Sequence, residues 1–521
     1  MDKIKIPYFN ETNYFENRES KSATVWTIND SDENSFSAYC ELFLKNGYIK
    51  KEEYETAQNN FAAFEKDREG VFLNYFGNIG EMRIVTEENT NYFSFVDSKL
   101  PSIVAPEITQ ITLEDFGLSY AIRLSDGRFI VIDGGWNFEP DVDRLFKCLK
   151  KESPFEKPII AAWILSHPHE DHFHCFIGFM DKYGSHVTLE KCLFNFPEHD
   201  DTEHYPGLTH IDEKLGDLSA FTHIPMMLER IEKSGADIYT PHTGQKFKIG
   251  DAELEILASM DDTIHVTDNI NSTSLVIRMT LGGQTILWTN DAGFSYAKLP
   301  ERYGEYLKAD ILQIPHHGFQ SGTAEAEIKG YDLIAPKICF LPVSDYCAYT
   351  FFCPLREGTR HIMTADYVEE LITGTVQRTI ALPYAPRKGA KKEIERNLAL
   401  GLENNGARSW IFTGLSTGRE EDLVFTVLNT MVLPAQINIE LFFEDKKQVV
   451  KFIKAKVGGS SFKTFNIIGD EVDGNALYFS RSLLSKKGVP ENAPFAVRFM
   501  CDAPIVVSHK DHQPAYRSML N

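Results

Sequence analysis

The segment at residues 163–176, WILSHPHEDHFHCF, restricts the fold of this chain more than any other. It continues an unbroken apolar run over residues 159–165, which predicts a strand buried on both faces. A dense set of imidazoles and carboxylates follows that strand: His167, His169, Glu170, Asp171 and His172. Such groups are costly to bury without partners, but they are natural ligands of divalent metal ions. We therefore predict a strand that ends in a metal-binding loop. The alternative, a chance cluster of surface histidines, is disfavoured by the buried strand.

The order of the side chains in this loop suggests two metal positions. His167 and His169 alternate along the chain and can point to the same side of an extended loop. Asp171 and His172 are adjacent on a turn and can face a second metal ion. A helix is predicted to begin near residue 173, which makes His174 a candidate to support a ligand from behind.

The run His-x-His-x-Asp-His at residues 167–172 resembles the signature of the metallo-β-lactamase superfamily. The resemblance extends over roughly residues 106–385 and implies an α/β fold, the αββα sandwich, in which two mixed sheets are flanked by helices. The motifs that carry it are specific as a set and weak one by one.

Two later strand ends carry the companion motifs. Residues 287–292 (LWTNDA) include Asp291, to which the resemblance gives the role of a carboxylate shared by both metals. Residues 311–318 (ILQIPHHG) include His316 and His317. One of these histidines should bind the second metal, while the other contacts substrate or donates a proton. The His-His-Gly motif and the stretch NSTSLVI at residues 271–277 are similar to the branch that includes the DNA-uptake competence protein ComEC.

The resemblance also implies a supporting carboxylate. Asp133 lies in an Asp-Gly-Gly turn that the family places next to the site. There Asp133 would orient a ligand histidine through a hydrogen bond. A simple turn role is the alternative.

The sequence departs from the family pattern at the first metal. Many members have a further histidine before the shared aspartate, but here only His265 and Asp268 could reach the site. We therefore expect His167, His169, Asp291 and water to hold the first metal.

The activity that the resemblance implies is metal-dependent hydrolysis by a metal-bridging hydroxide, with Asp171 and His317 as catalytic residues. Two divalent metal ions are expected, zinc first, with manganese or iron as alternatives. The ComEC-like motifs favour a phosphodiester or nucleotide-like small-molecule substrate. A carboxylic ester, lactone or amide is one alternative, and a non-catalytic partner-binding protein with a retained metal site is another.

Composition limits the partners. The chain has 53 basic and 75 acidic residues and a formal net charge of −22, which works against binding a long nucleic acid. The eight cysteines form no CxxC pair, and the first twenty residues have no apolar signal core. We therefore expect a cytoplasmic protein that does not enter the membrane.

The 521 residues are too many for one compact core. We predict an N-terminal α+β region at residues 1–104, the metallo-β-lactamase-like domain at 105–385, a basic helical linker at 386–402 and a β-sandwich-like domain at 403–521. Residues 1–100 are expected to restrict access to the site, and a protein partner would bind through the C-terminal domain.

Overall fold

The structure is a computed structural model that describes residues 15–19, 23–88, 93–97, 101–212, 216–264, 266–319, 323–343, 378–381, 396–399, 407–416, 423–429, 435–443, 449–458, 461–468, 494–509 and 514–518. The chain divides into two compact units. One consists of Met1–Leu281 and Thr285–Leu398, and the other of Gly282–Gln284 and Ala399–Asn521. Within the described ranges, no helix is both long and apolar enough to cross a membrane.

The first unit begins with an antiparallel sheet whose described strands have the order β1-β2-β6-β5-β4-β3. Its elements are β1 Phe15–Glu19, β2 Ala23–Ile28, α1 Glu33–Lys45, β3 Ile49–Thr56, β4 Asn59–Lys66, β5 Glu69–Phe76 and β6 Glu81–Glu88. Helix α1 begins after Asp32, whose carboxylate accepts a hydrogen bond from the Ser35 backbone N–H. Phe36 and Phe43 of α1 pack in one apolar cluster with the sheet, as an α+β region requires.

The other face of this sheet packs against the rest of the unit. Phe72 and Val85 share an apolar cluster with Met260 and Ile264. Ion pairs add to this apolar contact, because the buried carboxylate of Asp262 pairs with Arg83 of the N-terminal sheet and with Arg302. None of the described residues before residue 101 is among those that line the pocket beside the predicted metal-binding loops, and the expectation that residues 1–100 restrict access stays a prediction.

The sandwich itself has two facing mixed sheets. The first runs β15-β12-β10-β9-β8-β7-β23, with β11 beside β10, and the second runs β16-β17-β18-β19-β20-β21-β22. The strands of the first are β7 Glu107–Gln110, β8 Ser119–Arg123, β9 Phe129–Asp133, β10 Ile159–Ile164, β11 Thr188–Leu189, β12 Lys191–Leu193, β15 Asp237–Tyr239 and β23 Arg396–Ala399. Those of the second are β16 Lys246–Ile249, β17 Ala252–Ala258, β18 Val276–Leu281, β19 Gln284–Trp288, β20 Ile311–Gln313, β21 Ile338–Leu341 and β22 Arg378–Ala381. A short hairpin, β13 Ile211–Asp212 and β14 Gly216–Asp217, lies apart.

Helices cover the outer faces, as predicted for an αββα sandwich. Helices α2 Glu139–Glu152, α3 Glu170–Tyr183 and α4 Ala220–Ser234 contribute to the apolar cluster of the first sheet. Helices α5 Leu299–Tyr303 and α6 Ala324–Ile334 contribute to that of the second. Between the sheets, the ring of Tyr120 contacts Trp288 and Phe340 at centroid distances of 4.9 and 5.4 Å. The predicted mixed α/β fold is therefore confirmed.

One element differs from the prediction. The segment at residues 386–402 was expected to be helical, but its described part, Arg396–Ala399, is strand β23 beside β7. Pairing with an open sheet edge outweighs a weak local helix preference. The rest of the predicted linker lies outside the described residues.

The second unit is β-rich where the structure describes it. Its strands are β24 Ala407–Ser416, β25 Leu423–Asn429, β26 Ala435–Phe443, β27 Val449–Val457, β28 Ser461–Ile468, β29 Pro494–His509 and β30 Pro514–Ser518. The long strand β29 pairs with β26, β24 and β25. Alternate residues such as Ile437, Ile439 and Leu441 point into one apolar core, which is the period of a half-buried strand.

Candidate metal centre

The ends of two pairs of parallel strands build the candidate site. In the first sheet β9 and β10 run parallel, and in the second sheet β19 and β20 do so. Because parallel strands end at the same edge of a sheet, the loops after them meet there. These loops carry the polar residues singled out in the sequence: Asp133, His167, His169, Asp171, His172, Asp291, His316 and His317.

His167, His169 and Asp291 form the first group, in which one donor atom from each residue lies within 4.8 Å of the others. His167 Nε2 and His169 Nδ1 are 3.1 Å apart, and His167 Nε2 is 3.8 Å from Asp291 Oδ2. Two imidazole nitrogens on a tetrahedral zinc, each at about 2.1 Å, would be about 3.4 Å apart. The first group therefore has the spacing that one cation requires.

The second group joins Asp171, His172, Asp291 and His317, again with donor atoms within 4.8 Å. His172 Nε2 and His317 Nε2 are 3.3 Å apart, and His317 Nε2 lies 2.9 Å from Asp171 Oδ2. Asp291 Oδ2 is 3.1 Å from His172 Nε2 and 3.4 Å from His317 Nε2. Asp291 is thus common to both groups, in the place where a shared carboxylate was expected.

A partnerless oxygen shows that these residues suit divalent cations. Asp291 Oδ1 is buried and has no hydrogen-bond partner among the residues that the structure describes. A buried carboxylate oxygen in that state is costly unless a cation or a donor reaches it. Imidazole and carboxylate donors together suit zinc, manganese or iron, so the donor set fits the expected metals without choosing between them.

The protonation of the imidazoles follows from the same crowding. Burial disfavours a charged His172, but Asp291, Asp171 and Asp133 outweigh it and raise the pKa of His172 well above its usual value. Burial likewise opposes a charge on His317, yet Asp291 and Asp171 raise its pKa to about 9. Burial and the charge on His172 lower the pKa of His167 well below its usual value. Because a metal ion needs neutral imidazole, its binding must release the protons of His172 and His317, and binding strengthens as the pH rises.

Asp133 supports the second group from behind. Asp133 Oδ2 lies 2.7 Å from His172 Nδ1, which leaves His172 Nε2 facing the other donors. Ser166 donates from its hydroxyl to Asp133 Oδ2 over 2.6 Å, and from its backbone N–H to Asp133 Oδ1 over 2.7 Å. The Ser166 hydroxyl is also 3.1 Å from His167 Nδ1, so one small network touches a ligand candidate of each group.

Replacing Asp133 with asparagine should weaken metal binding without removing any ligand candidate. The carboxylate that fixes the His172 ring would be lost, and changes at such partners lower metal affinity by about 10–100-fold. Titration of the metal-free protein against a competing chelator measures this change. Asp237→Ala, at an exposed position, is the control and should keep the affinity of the unmodified chain. Unchanged affinity in Asp133→Asn would contradict the supporting role.

The backbone of the site loops is strained at four non-glycine positions. Asp133, Asn290, His316 and His317 have φ angles of 52°, 49°, 48° and 53°. Each such residue costs on the order of 1–3 kcal/mol and persists only where its surroundings hold it. Here the surroundings include Gly135, at φ 87°, whose N–H donates to the His172 carbonyl.

The structure distinguishes the two adjacent histidines. His317 is buried and joins the second group, whereas the His316 side chain is 20% exposed and its Nε2 lies 4.0 Å from Asp291 Oδ2. His316 belongs to neither group. The Asn271 amide donates to His316 Nε2 over 3.2 Å, and burial lowers the pKa of His316 to about 4, which keeps it neutral.

The remaining candidates that the structure describes, His174 and Asp268, are members of neither group. His174 is buried with its ring 4.1 Å from that of His223, and burial lowers its pKa to about 3. Asp268 is exposed and belongs to neither group, and His265 lies outside the described residues.

Three contributors were missed by sequence reasoning. Ser166 directly precedes His167, and Gln313 is a polar residue in the otherwise apolar run of β20. Both positions could therefore have been recognised in the sequence as candidates to support the site. Gln313 Oε1 accepts from the Thr289 backbone N–H over 3.0 Å and holds the loop that bears Asp291. Phe116, the third, had no such signal; its ring lies 5.4 Å from that of His317.

A pocket of about 430 Å³ opens onto both groups. Its lining residues are Phe116, His169, Glu170, Asp171, Gly207, Thr209, His210, Asn271, Asp291, His316, His317 and Phe319. No lysine or arginine occurs among these lining residues, all of which the structure describes. The volume suits a small molecule, and the lining gives no fixed cation for a phosphate chain.

Comparison with known proteins supports the fold of this region. Residues 113–329 match the family model of the metallo-beta-lactamase superfamily. Among curated proteins no significant match was found.

Two solved structures show limited likeness. One is the Anabaena sensory rhodopsin transducer, at 20% identity over 20% of this chain and 95% of that chain, with a TM-score of 0.15. The other is Thermotoga maritima 1070, at 23% identity over 22% of this chain and 99% of that chain, with a TM-score of 0.16. TM-scores this low carry no information about function.

Proposed function

We propose that the metallo-β-lactamase superfamily domain at residues 113–329 makes this chain a metal-dependent hydrolase of small phosphodiester or nucleotide-like substrates. One observation carries the proposal: two groups of metal-ligand side chains share Asp291 at the wall of a pocket of about 430 Å³. The first ion would be held by His167, His169 and Asp291. The second would be held by Asp171, His172, Asp291 and His317.

Divalent cations held by these residues would supply a water-derived nucleophile at neutral pH and would polarise the substrate oxygen. The side chains of the protein would position the reacting groups. Asp171 lines the pocket, and its Oδ2 is 2.9 Å from His317 Nε2, so this pair is proposed to orient the attacking water. Within the described lining no serine or cysteine is present that could attack instead.

The substrate is proposed to be small because of the pocket lining. Apart from the metal-ligand candidates, the charged side chain in this lining is the acidic Glu170, and no lysine or arginine is there to hold a chain of phosphates. The net charge of −22 acts in the same direction. A single phosphodiester, bound at the cations, needs no further positive charge. The His-His-Gly motif, similar to that of the ComEC-type branch, supports phosphorus over carbon as the site of attack.

An uncharged carboxylic ester, lactone or amide is the second candidate. The walls near the donor groups include Phe116 and Phe319, the latter with its ring 5.2 Å from that of His316. Aromatic walls without fixed cations also suit a neutral acyl substrate.

A matched substrate panel tests the proposal. The metal-loaded chain is assayed with nitrophenyl phosphodiesters and with nitrophenyl carboxylic esters. We expect diester turnover that is lost on adding chelator, restored by zinc or manganese, and reduced at least about 10²-fold in His169→Ala, because the first ion loses a donor. His186→Ala, at an exposed position of the same domain, should keep full activity.

The other outcomes assign the alternatives. Turnover of carboxylic esters alone would select the second candidate. Two bound ions with no turnover on the whole panel would contradict an enzyme and favour a partner-binding protein.

A further inference from the structure

The two groups differ in how many donors the chain offers. The second has four, Asp171, His172, Asp291 and His317, whereas the first has only His167, His169 and Asp291. The pocket wall beside them holds Asn271, from the short 3-10 helix Ile270–Thr273.

Asn271 presents an oxygen that lacks a partner. Its Oδ1 atom is buried and has no hydrogen-bond partner in the part of the chain that the structure describes. Among the pocket-lining side chains, the other buried oxygen in that state within the described residues is Asp291 Oδ1, which belongs to the shared metal-ligand candidate. Leaving a buried acceptor unpaired costs on the order of 1–3 kcal/mol, so a ligand that satisfies both atoms is favoured.

The direction of this oxygen is fixed by the other half of the amide. Asn271 Nδ2 donates to His316 Nε2 over 3.2 Å, and the Asn271 backbone N–H donates to Asn269 Oδ1 over 3.0 Å. When the proton of neutral His316 is on Nδ1, Nε2 accepts from the Asn271 amide nitrogen, and turning the amide over would break that bond.

Two backbone contacts link the Asn271 loop and its side-chain partner His316 to the loops that bear the first group. The Leu275 N–H donates to the Ser166 carbonyl over 3.1 Å, which joins the Asn271 loop to the residue before His167. The His316 N–H donates to the Asn290 carbonyl over 2.9 Å. This bond joins His316, the hydrogen-bond partner of the Asn271 side chain, to the residue before Asp291. The Asn271 loop is therefore bonded to the chain beside His167, and the Asn271 side chain contacts His316, whose Nε2 lies 4.0 Å from Asp291 Oδ2.

We propose that Asn271 belongs to the metal centre, its carboxamide oxygen serving as a donor to the first ion beside His167, His169 and Asp291. Amide oxygens are established ligands of hard divalent cations. The sequence predicted that water, or His265 or Asp268, would complete the ligands of the first ion. In this proposal Asn271 completes them, although no further histidine motif precedes Asp291. This inference rests on the metal centre of the proposed function but not on turnover.

Metal binding tests the assignment without any assay of activity. The full chain is stripped with chelator and titrated with zinc in competition with a chromogenic chelator. Bound metal is counted by elemental analysis, and cobalt(II) absorption reports the coordination.

Asn271→Leu should lower the affinity for one of the two ions by about 10–100-fold and leave the affinity for the other unchanged. Asn271→Asp keeps an oxygen and should hold both ions. His317→Ala should weaken the other ion, so that the double variant loses both.

Asn269→Ala serves as the control for the loop, because it removes the acceptor of the Asn271 N–H but leaves the pocket side chain in place. Circular dichroism checks that each variant is folded. The inference is overturned if Asn271→Leu binds both ions with the affinity of the unmodified chain, if Asn271→Asp loses metal equally, or if Asn269→Ala reproduces the loss. An inactive chain that binds two ions would defeat the proposed function and leave this inference intact.

Discussion

Replacing Asp291 with alanine should remove both metal ions and all measurable turnover in a single step. Asp291 is the residue common to the two groups, and its Oδ2 lies within 3.8 Å of His167, His172 and His317. Asp291 helps to raise the pKa values of His172 and His317. Without Asp291, these two buried imidazoles would face each other with less negative charge between them. The loss in kcat/KM should exceed the roughly 10²–10³-fold that removal of one transition-state hydrogen bond costs.

Comparison with single-group variants makes this prediction specific. His169→Ala removes a donor of the first group only, and Asp171→Ala one of the second only, so each should retain one ion. Asp291→Ala should retain neither by elemental analysis after dialysis. Asp237→Ala provides an exposed aspartate as the matched control. If Asp291→Ala still carries two ions, the shared-carboxylate arrangement is wrong.

The positions of the ligand candidates could be predicted because local pattern determines them. An apolar strand that ends in a polar loop is visible in the sequence, and parallel strands bring such ends to one edge. The choice between His316 and His317 could not be predicted. Both side chains leave a turn whose left-handed φ angles, 48° and 53°, are set by the contacts around it and not by the residue types.

Asn271 and Phe116 were missed for a related reason. Neither residue type signals a metal site by itself: Asn271 begins the stretch at residues 271–277, to which no metal-binding role was given, and Phe116 lies outside the motifs. Phe116 is held by its carbonyl, which accepts from Trp136 Nε1 over 2.6 Å. Such support joins positions that are distant in the chain, and no spacing rule reveals it.

The docking of the N-terminal sheet was also beyond local pattern. Its ion pairs join residues far apart in the chain, such as Arg83 and Asp262. His242 likewise lies between Asp261 Oδ2 and Glu87 Oε2, at 2.7 and 2.8 Å. In the sequence these are ordinary charged residues, and only the fold shows that they are buried together.

Replacing Asp262 with alanine should destabilise the first unit by about 3–5 kcal/mol, the usual result of breaking a buried charge network from one side. The Asp262 side chain is 0% exposed and pairs with Arg83 and Arg302, themselves 2% and 5% exposed. It also accepts from the Thr243 hydroxyl over 2.6 Å and from the Ser259 N–H over 3.0 Å. Removing the Asp262 carboxylate takes away the ion pair of Arg83, whereas Arg302 keeps its ion pair with Glu81, at 2.6 Å.

Urea unfolding followed by tryptophan fluorescence measures the effect, since Trp26 and Trp288 lie buried in the sheets on either side of this contact. Glu253→Ala, which breaks the exposed pair between Lys248 and Glu253, is the matched control and should cost less than about 1 kcal/mol. Adding Arg83→Met to Asp262→Ala should restore part of the stability, because it removes the stranded charge and keeps apolar volume. A loss below about 1 kcal/mol in Asp262→Ala itself would mean that water reaches the two guanidinium groups and that apolar packing alone holds the sheet.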